Sequence, residues 1–191
     1  MKNKQIARPL LIDLCFDRTS PLTQVALIAS GSLFLTLASK AAIPVGPVPI
    51  TCQLFALLLL GITLGSRLGT TAVLVYLTQG LCGLPVFYDM IAGPIKFAGP
   101  TGGYLIGMIP AVWIAGYAAE RGKDRSFWTV LPWLAVAHQS MYLCGILWLY
   151  VLLGNWQQTF QFGYWPFIGW DVLKYIIVAG FVAQIWRRQA R

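Results

Sequence analysis

The sequence predicts an all-α membrane protein of six transmembrane helices with both termini cytoplasmic. Three observations carry that expectation. Charged residues are 10% of the chain and apolar ones 58%, with mean hydropathy +0.69, whereas an ordinary soluble domain is roughly 25% charged. Six apolar stretches come close to the about 20 residues that a helix needs to cross the hydrocarbon core. The lysines and arginines between those stretches fall almost entirely on one side. With 191 residues the chain suits one domain, read as a leader over 1–20 and a six-helix transmembrane domain over 21–191.

The elements follow in order. In the leader, "MKNKQIARPLLIDLCFDRTS", the apolar part is short, broken by Asp13 and not followed by a small-residue cleavage site. It therefore reads as a cytoplasmic, amphipathic segment and not as a signal peptide. The first span covers about 22–43 and ends at the stiff "PVGPVP" of 44–49, where the prolines stop a helix. The second and third, about 50–66 and 68–84, are separated by a tight "GSR" turn. A longer loop, 85–101, precedes the fourth span at about 102–119. The hydrophilic "ERGKDR" leads to the fifth, about 127–153, and the polar, aromatic link "NWQQTFQFG" to the sixth, about 164–186.

Orientation follows from the basic residues of short loops. The two termini and the turns after spans two and four share one side, which holds Lys2, Lys4, Arg8, Arg18, Arg67, Arg121, Lys123, Arg125, Arg187, Arg188 and Arg191, eleven in all. The opposite side holds only Lys40 and Lys96. The loops 44–49, 85–101 and 154–163 are thus expected outside.

Against this background "WDVLKY" stands out, because Asp171 and Lys174 interrupt an apolar run. Asp171 precedes Arg187 by 16 residues, about 24 Å along a helix, which puts both charges in the outer half of the bilayer. Three residues apart, they share one helical face. An ionisable group at that depth costs a few kcal/mol and marks a functional site by default. An internal ion pair that fixes helix packing is the plainer alternative.

Other readings find less support. The net charge of +8 is spread singly between apolar runs, without the basic patch that nucleic acid requires. Cys15, Cys52, Cys82 and Cys144 form no C-x-x-C, so no metal or other cofactor is expected. An intramembrane enzyme would need a nucleophile and base or a metal cluster, and the chain has one histidine, no G-x-S-x-G and no H-E-x-x-H. That histidine, His138, sits in span five without a second titrating group on the same span, and reads with Gln139 as a source of interhelical hydrogen bonds. Gly102 and Gly103, in "AGPTGGYLIG", open a helix whose N-terminus offers N–H groups to an anion or carbonyl. They equally allow close helix packing.

The segments "GPVPITCQLFALLLLGITLGSRLGTTAVLVYLTQGLCGLPVF", "GPTGGYLIG" and "WDVLKY" together resemble the BioY family, the biotin-binding S components of energy-coupling-factor (ECF) transporters. The resemblance runs from about residue 22 to the end and rests on P-V-P-I-T, G-P-T-G-G-Y and D-x-x-K in that order. Trp170 stands where the family usually has glycine. The resemblance implies an S-component fold in a bacterial cytoplasmic membrane, with biotin bound near the outer surface beneath the loop joining spans one and two. It also implies a transmembrane coupling subunit and two cytoplasmic ATPases as partners, besides membrane lipid.

For such a ligand, Asp171 would accept the ureido N–H groups, and Lys174 would hold Asp171 charged or reach the ligand itself. Gln79 is a candidate amide partner or an interhelical hydrogen bond. Tyr88 and Tyr104 are candidates to stack on the bicyclic ring, and Phe87 to form apolar wall. The proline-rich 44–49 reads as a stiff lid, with Thr51 and Gln53 just beyond it. Trp156, Trp165 and Trp186 are assigned to the membrane interface. Ala26 and Ser30, one turn apart on span one, allow close helix approach and are the expected docking face for the coupling subunit. A stand-alone proton-coupled carrier using Asp171 is the competing function, although no inverted repeat supports it.

Overall fold

Pro21 opens the first long helix of the computed structural model, which describes residues 9–44 and 46–189. Its missing N–H falls where a helix needs none, and α1 runs Pro21–Lys40. The proline-rich stretch then forms a small hairpin of β1 (Ala42–Ile43) and β2 (Ile50–Thr51), paired antiparallel with Ile43 opposite Ile50. Five further long or short helices precede the last: α2 (Gln53–Leu81), α3 (Pro94–Ala98), α4 (Gly102–Glu120), α5 (Phe127–Leu153) and α6 (Trp156–Gly163); α7 (Trp165–Gln189) closes the chain. Of the basic residues behind the charge asymmetry, Lys2, Lys4, Arg8 and Arg191 lie outside the described residues.

The span of α2 is two limbs. Gly65 breaks it with φ +83° and ψ 177°, a conformation that glycine alone adopts readily. Gln53 Nε2 lies 3.1 Å from the Tyr76 hydroxyl, yet 23 residues on one straight helix would separate them by about 35 Å. The chain therefore doubles back at Gly65, and the "GSR" turn is the reversal. The second limb begins at Ser66, whose N–H and Oγ both donate to Glu120 Oε1 at 2.8 Å. A carboxylate suits that helix N-terminus.

Glycines let the helices meet closely. A Cβ on Gly61 would sit 2.7 Å from the Val112 carbonyl, and one on Gly116 would strike the backbone of Gly65 and Ser66. Small residues at such crossings replace the hydrophobic drive that lipid removes. The most extensive packing is α2 on α4, α4 on α5 and α1 on α2. Five helices, α1, α2, α4, α5 and α7, are long and apolar enough to cross a membrane. Their outer faces carry exposed apolar side chains, among them Leu22, Val25, Leu37, Leu143 and Val151. The chain is a multi-pass membrane protein.

Three departures from the sequence reading concern local structure. The link after span five is a short helix, α6, which Asn155 caps by accepting from the Gln158 N–H. The leader is not merely peripheral, because Leu10 and Leu11 are buried in the main core. Trp186 is not an interface aromatic. It is buried, and its Nε1–H donates to Asp124 Oδ2 at 2.6 Å. Trp156 and Trp165 are exposed as expected.

Candidate functional site

A cavity opens at the hairpin end of the bundle. Its walls come from β2 and the loop before it (Val48, Pro49, Thr51), α2 (Gln53, Leu57), the 85–101 segment (Phe87, Tyr88, Lys96), α4 (Tyr104, Met108), α5 (Met141, Tyr142) and α7 (Phe167, Asp171, Lys174). The cavity volume is about 80 Å³. Val48 is buried against Tyr142, Leu149 and Phe167, so the proline-rich turn roofs the cavity.

Asp171 is the polar centre. Buried in α7, it accepts from Lys174 Nζ at Oδ1 (2.7 Å) and from the Tyr142 hydroxyl at Oδ2 (2.6 Å). Lys174 Nζ also donates to the Thr51 carbonyl at 2.6 Å. One ammonium thus ties the carboxylate to the strand that carries the roof. A carboxylate has about four acceptor positions, so two remain for a third donor. Beneath the pair lies His138, fully buried, its Nε2 3.4 Å from Asp171 Oδ2.

A second charge enters from the 85–101 segment. Lys96 is buried, pairs with Asp89 at 2.7 Å and places its ammonium 4.4 Å from the centre of the Tyr88 ring. Burial, with the negative Asp89 beside it, pushes the Tyr88 hydroxyl pKa up from its ordinary value. Tyr104 is fixed by donating to the Gly163 carbonyl at 2.7 Å and packs edge-on against Tyr142. Phe87 packs edge-on against Tyr76. The cavity therefore combines aromatic and methionine walls with an anion and two cations.

The model of the BioY family matches residues 8–191. The chain belongs to the BioY family. Among relatives, a probable biotin transporter BioY of Pyrococcus horikoshii is 35% identical over 79% of this chain and 88% of its own length. The biotin transporter BioY of Thermotoga maritima is 35% identical over 72% and 80%, and BioY2 of Lactococcus lactis 31% over 86% and 90%. The crystal structure of the S-component for biotin from an ECF-type ABC transporter superposes with TM-score 0.78, at 23% identity over 90% of this chain and 95% of that one. That likeness shows the fold. The family match also corrects the sequence reading of the leader, since it begins at residue 8 and not near 22.

Of the residues singled out in the sequence, Asp171, Lys174, Tyr88, Tyr104 and Phe87 line this BioY cavity, and so do Thr51 and Gln53. Gln79 does not. Its Oε1 accepts from Ser32 Oγ at 2.7 Å, an α1–α2 hydrogen bond. Gly102 and Gly103 are also outside the lining: a Cβ on Gly102 would meet the Phe97 carbonyl and one on Gly103 the Trp148 side chain. Trp170 is exposed and faces away from the cavity. Ala26 and Ser30 are exposed on α1.

Sequence reasoning missed Tyr142, Met108, Met141, Phe167 and Lys96. Tyr142 carried a signal, one turn after His138 on the same helix, where a polar stripe crosses an apolar span. The reading of His138 needs correction. A titrating partner does stand in reach, on α7 and not on α5, and neither ring nitrogen makes a hydrogen bond among the described residues.

Proposed function

We propose that the chain is the biotin-capturing S component of an energy-coupling-factor transporter, and that the cavity at the hairpin end is its biotin site. The family, the names of its relatives and the shared fold support this reading. The observation that carries it is Asp171, a buried carboxylate at the cavity wall that is held by Lys174 and Tyr142 with acceptor capacity to spare.

Biotin's two ureido N–H groups would donate to Asp171, in charge-assisted bonds stronger than neutral ones. Lys174 keeps the carboxylate charged and oriented. Tyr104, Tyr88 and Phe87, with the methionines, would enclose the bicyclic ring. Lys96, on the other side of the cavity from α7, is placed to meet the valerate carboxylate. Gln79, Gly102 and Gly103 serve the site from behind, by holding α1 to α2 and α4 to its neighbours. The ligand is captured and released unchanged.

Counting the limbs of α2 separately gives six crossings of a bacterial cytoplasmic membrane. The basic turns at 66–67, 121–125 and 187–188 then face the cytoplasm, as do both termini, and the cavity faces outside. Ala26 and Ser30, exposed on α1, would meet a transmembrane coupling subunit that is driven by two ATPases.

Two measurements test the reading. Purified chain in detergent is expected to bind biotin tightly by calorimetry. Cells carrying it are expected to take up biotin only with the ATPase subunits present. Uptake without them that a protonophore abolishes would instead make the chain a proton-coupled carrier.

A further inference from the structure

His138 is a buried titratable side chain beside the site, and the mechanism above leaves it without a task. It is fully buried in α5, and neither Nδ1 nor Nε2 has a hydrogen-bond partner among the described residues. Its Nε2 lies 3.4 Å from Asp171 Oδ2 and makes no hydrogen bond to it. That same oxygen already accepts from Tyr142. A buried polar group left unmade costs free energy, so a ring held beside a carboxylate without a bond calls for an explanation. The ring does not line the cavity. Anything it does to a ligand must pass through Asp171.

We propose that His138 is a positioning residue for Asp171, and that its protonation withdraws the carboxylate from biotin. The inference rests on the reading that Asp171 accepts from the ligand. Neutral His138 leaves Asp171 Oδ2 with one donor, Tyr142, and a lone pair for the ligand. Imidazolium turns Nε2 into a charged donor facing that lone pair. It closes the 3.4 Å gap, occupies the acceptor position and offsets the negative charge that attracts the ureido N–H groups. Protonation and ligand thus compete for one oxygen.

The surroundings agree with a ring whose charge depends on that oxygen. From α7, Asp171 faces the ring at 3.4 Å and is itself paired with Lys174 at 2.7 Å; Tyr175 is in ring contact at 5.7 Å. On α5 itself Tyr142 lies 4.5 Å away, ring centre to ring centre. From α4 and the α6–α7 junction, Tyr104 and Tyr164 contact Tyr142, and α6 carries no Asp, Glu, Lys, Arg or His. On α2, Tyr76 is engaged by Gln53, and Arg67 is exposed at the reversal. Lys123, Asp124 and Arg125 belong to the far end, where Asp124 is bonded to Trp186.

Histidine changes charge between about pH 5 and 8. The sign follows from competition: the free protein binds a proton that the complex excludes, so affinity is full at the alkaline end and falls as pH drops. One proton limits the fall to about tenfold per pH unit. Biotin binding to the full chain in detergent should be followed from pH 8 to 5.5, where the ligand's carboxyl stays largely ionised. Native chain, H138Q and D171N are compared, and the native titration is repeated in two buffers of different ionisation enthalpy.

The native Kd is expected to rise about tenfold across the range, with up to one proton released per biotin bound. H138Q, whose amide cannot charge, should show a flat profile. A native chain that releases no proton and binds equally across the range overturns the proposal, whether or not H138Q folds. A H138Q profile as steep as the native one also overturns it while leaving the biotin site in place. Native-level binding by D171N removes the reading beneath it and the proposal with it.

Discussion

Two aspartates are buried near opposite ends of α7, and only one of them faces a cavity. Asp171 lies near the helix start, and Trp186, the partner of Asp124, lies 15 residues later, about 22 Å along the axis. Asp124 sits in the turn between α4 and α5 and accepts the Trp186 indole N–H at 2.6 Å. The Arg125 guanidinium lies 3.5 Å over the Trp186 ring, and its Nε is 3.9 Å from Asp124 Oδ1. That assembly is closed, with protein on every side of the carboxylate. Around Asp171 the donors come from two helices, α5 and α7, and one of them, Lys174, also holds the hairpin. Burial of a carboxylate alone therefore does not identify a binding site. What separates the two is an open face on a cavity, against a sealed face that fixes how a helix end packs.

The sharpest way to break this contrast is to neutralise the open carboxylate. D171N is expected to weaken biotin binding by about 100-fold or more, because it loses charge-assisted bonds and leaves Lys174 buried without its anion. Calorimetry on the folded variant reads the loss. K174M should cost about 10- to 100-fold, and it should also free the hairpin. Faster hydrogen exchange in 42–51 would report the lost bond to the Thr51 carbonyl. Y142F removes one donor from Asp171 Oδ2 and is expected to weaken binding about fivefold, on the scale of one hydrogen bond, with little change in melting temperature.

The sealed end should respond in stability and not in affinity. D124A leaves the Trp186 N–H unsatisfied and is expected to cost about 1–3 kcal/mol, with biotin affinity within about twofold of native. The smallest effect is in pH. Burial raises the Asp124 pKa above its ordinary 3.8, against the opposing Trp186 hydrogen bond and Arg125 charge. The folded chain then holds this proton more tightly than the unfolded one, so its contribution is full at low pH and is lost as pH rises from 3.8 through the folded value. Native melting temperature should accordingly gain on that of D124N as pH is lowered from neutrality. A difference that shrinks on acidification contradicts the assignment.

The part of this contrast visible in the sequence was the part that violates composition. Asp171 and Lys174 stand out because charge in an apolar run is expensive, and their spacing alone puts them on one face. The reversal at Gly65 was legible for a similar reason, as a Gly-Ser-Arg interruption between apolar runs. Pairings across helices were not legible. His138 reads as lacking a partner when only its own span is searched, because Asp171 is 33 residues away in sequence. Tyr142 has only its place one turn after His138 to set it apart in a chain with eight tyrosines. Gln79 illustrates the converse: a polar side chain in a span reads as a ligand contact until Ser32 of the neighbouring helix is seen to satisfy it. Gly102 and Gly103 fit an anion-binding helix start by motif, yet their missing side chains make room for Phe97 and Trp148. Trp186 was assigned to the interface by residue type, whereas its burial depends on a turn more than 60 residues earlier.

The most direct measurement is biotin binding by D171N and D124N, side by side with the native chain in one detergent. The account predicts that D171N elutes as a folded species and loses biotin by about two orders of magnitude, while D124N binds as the native chain does. Equal binding by D171N and native would return Asp171 to the same structural class as Asp124 and remove the site from this pair.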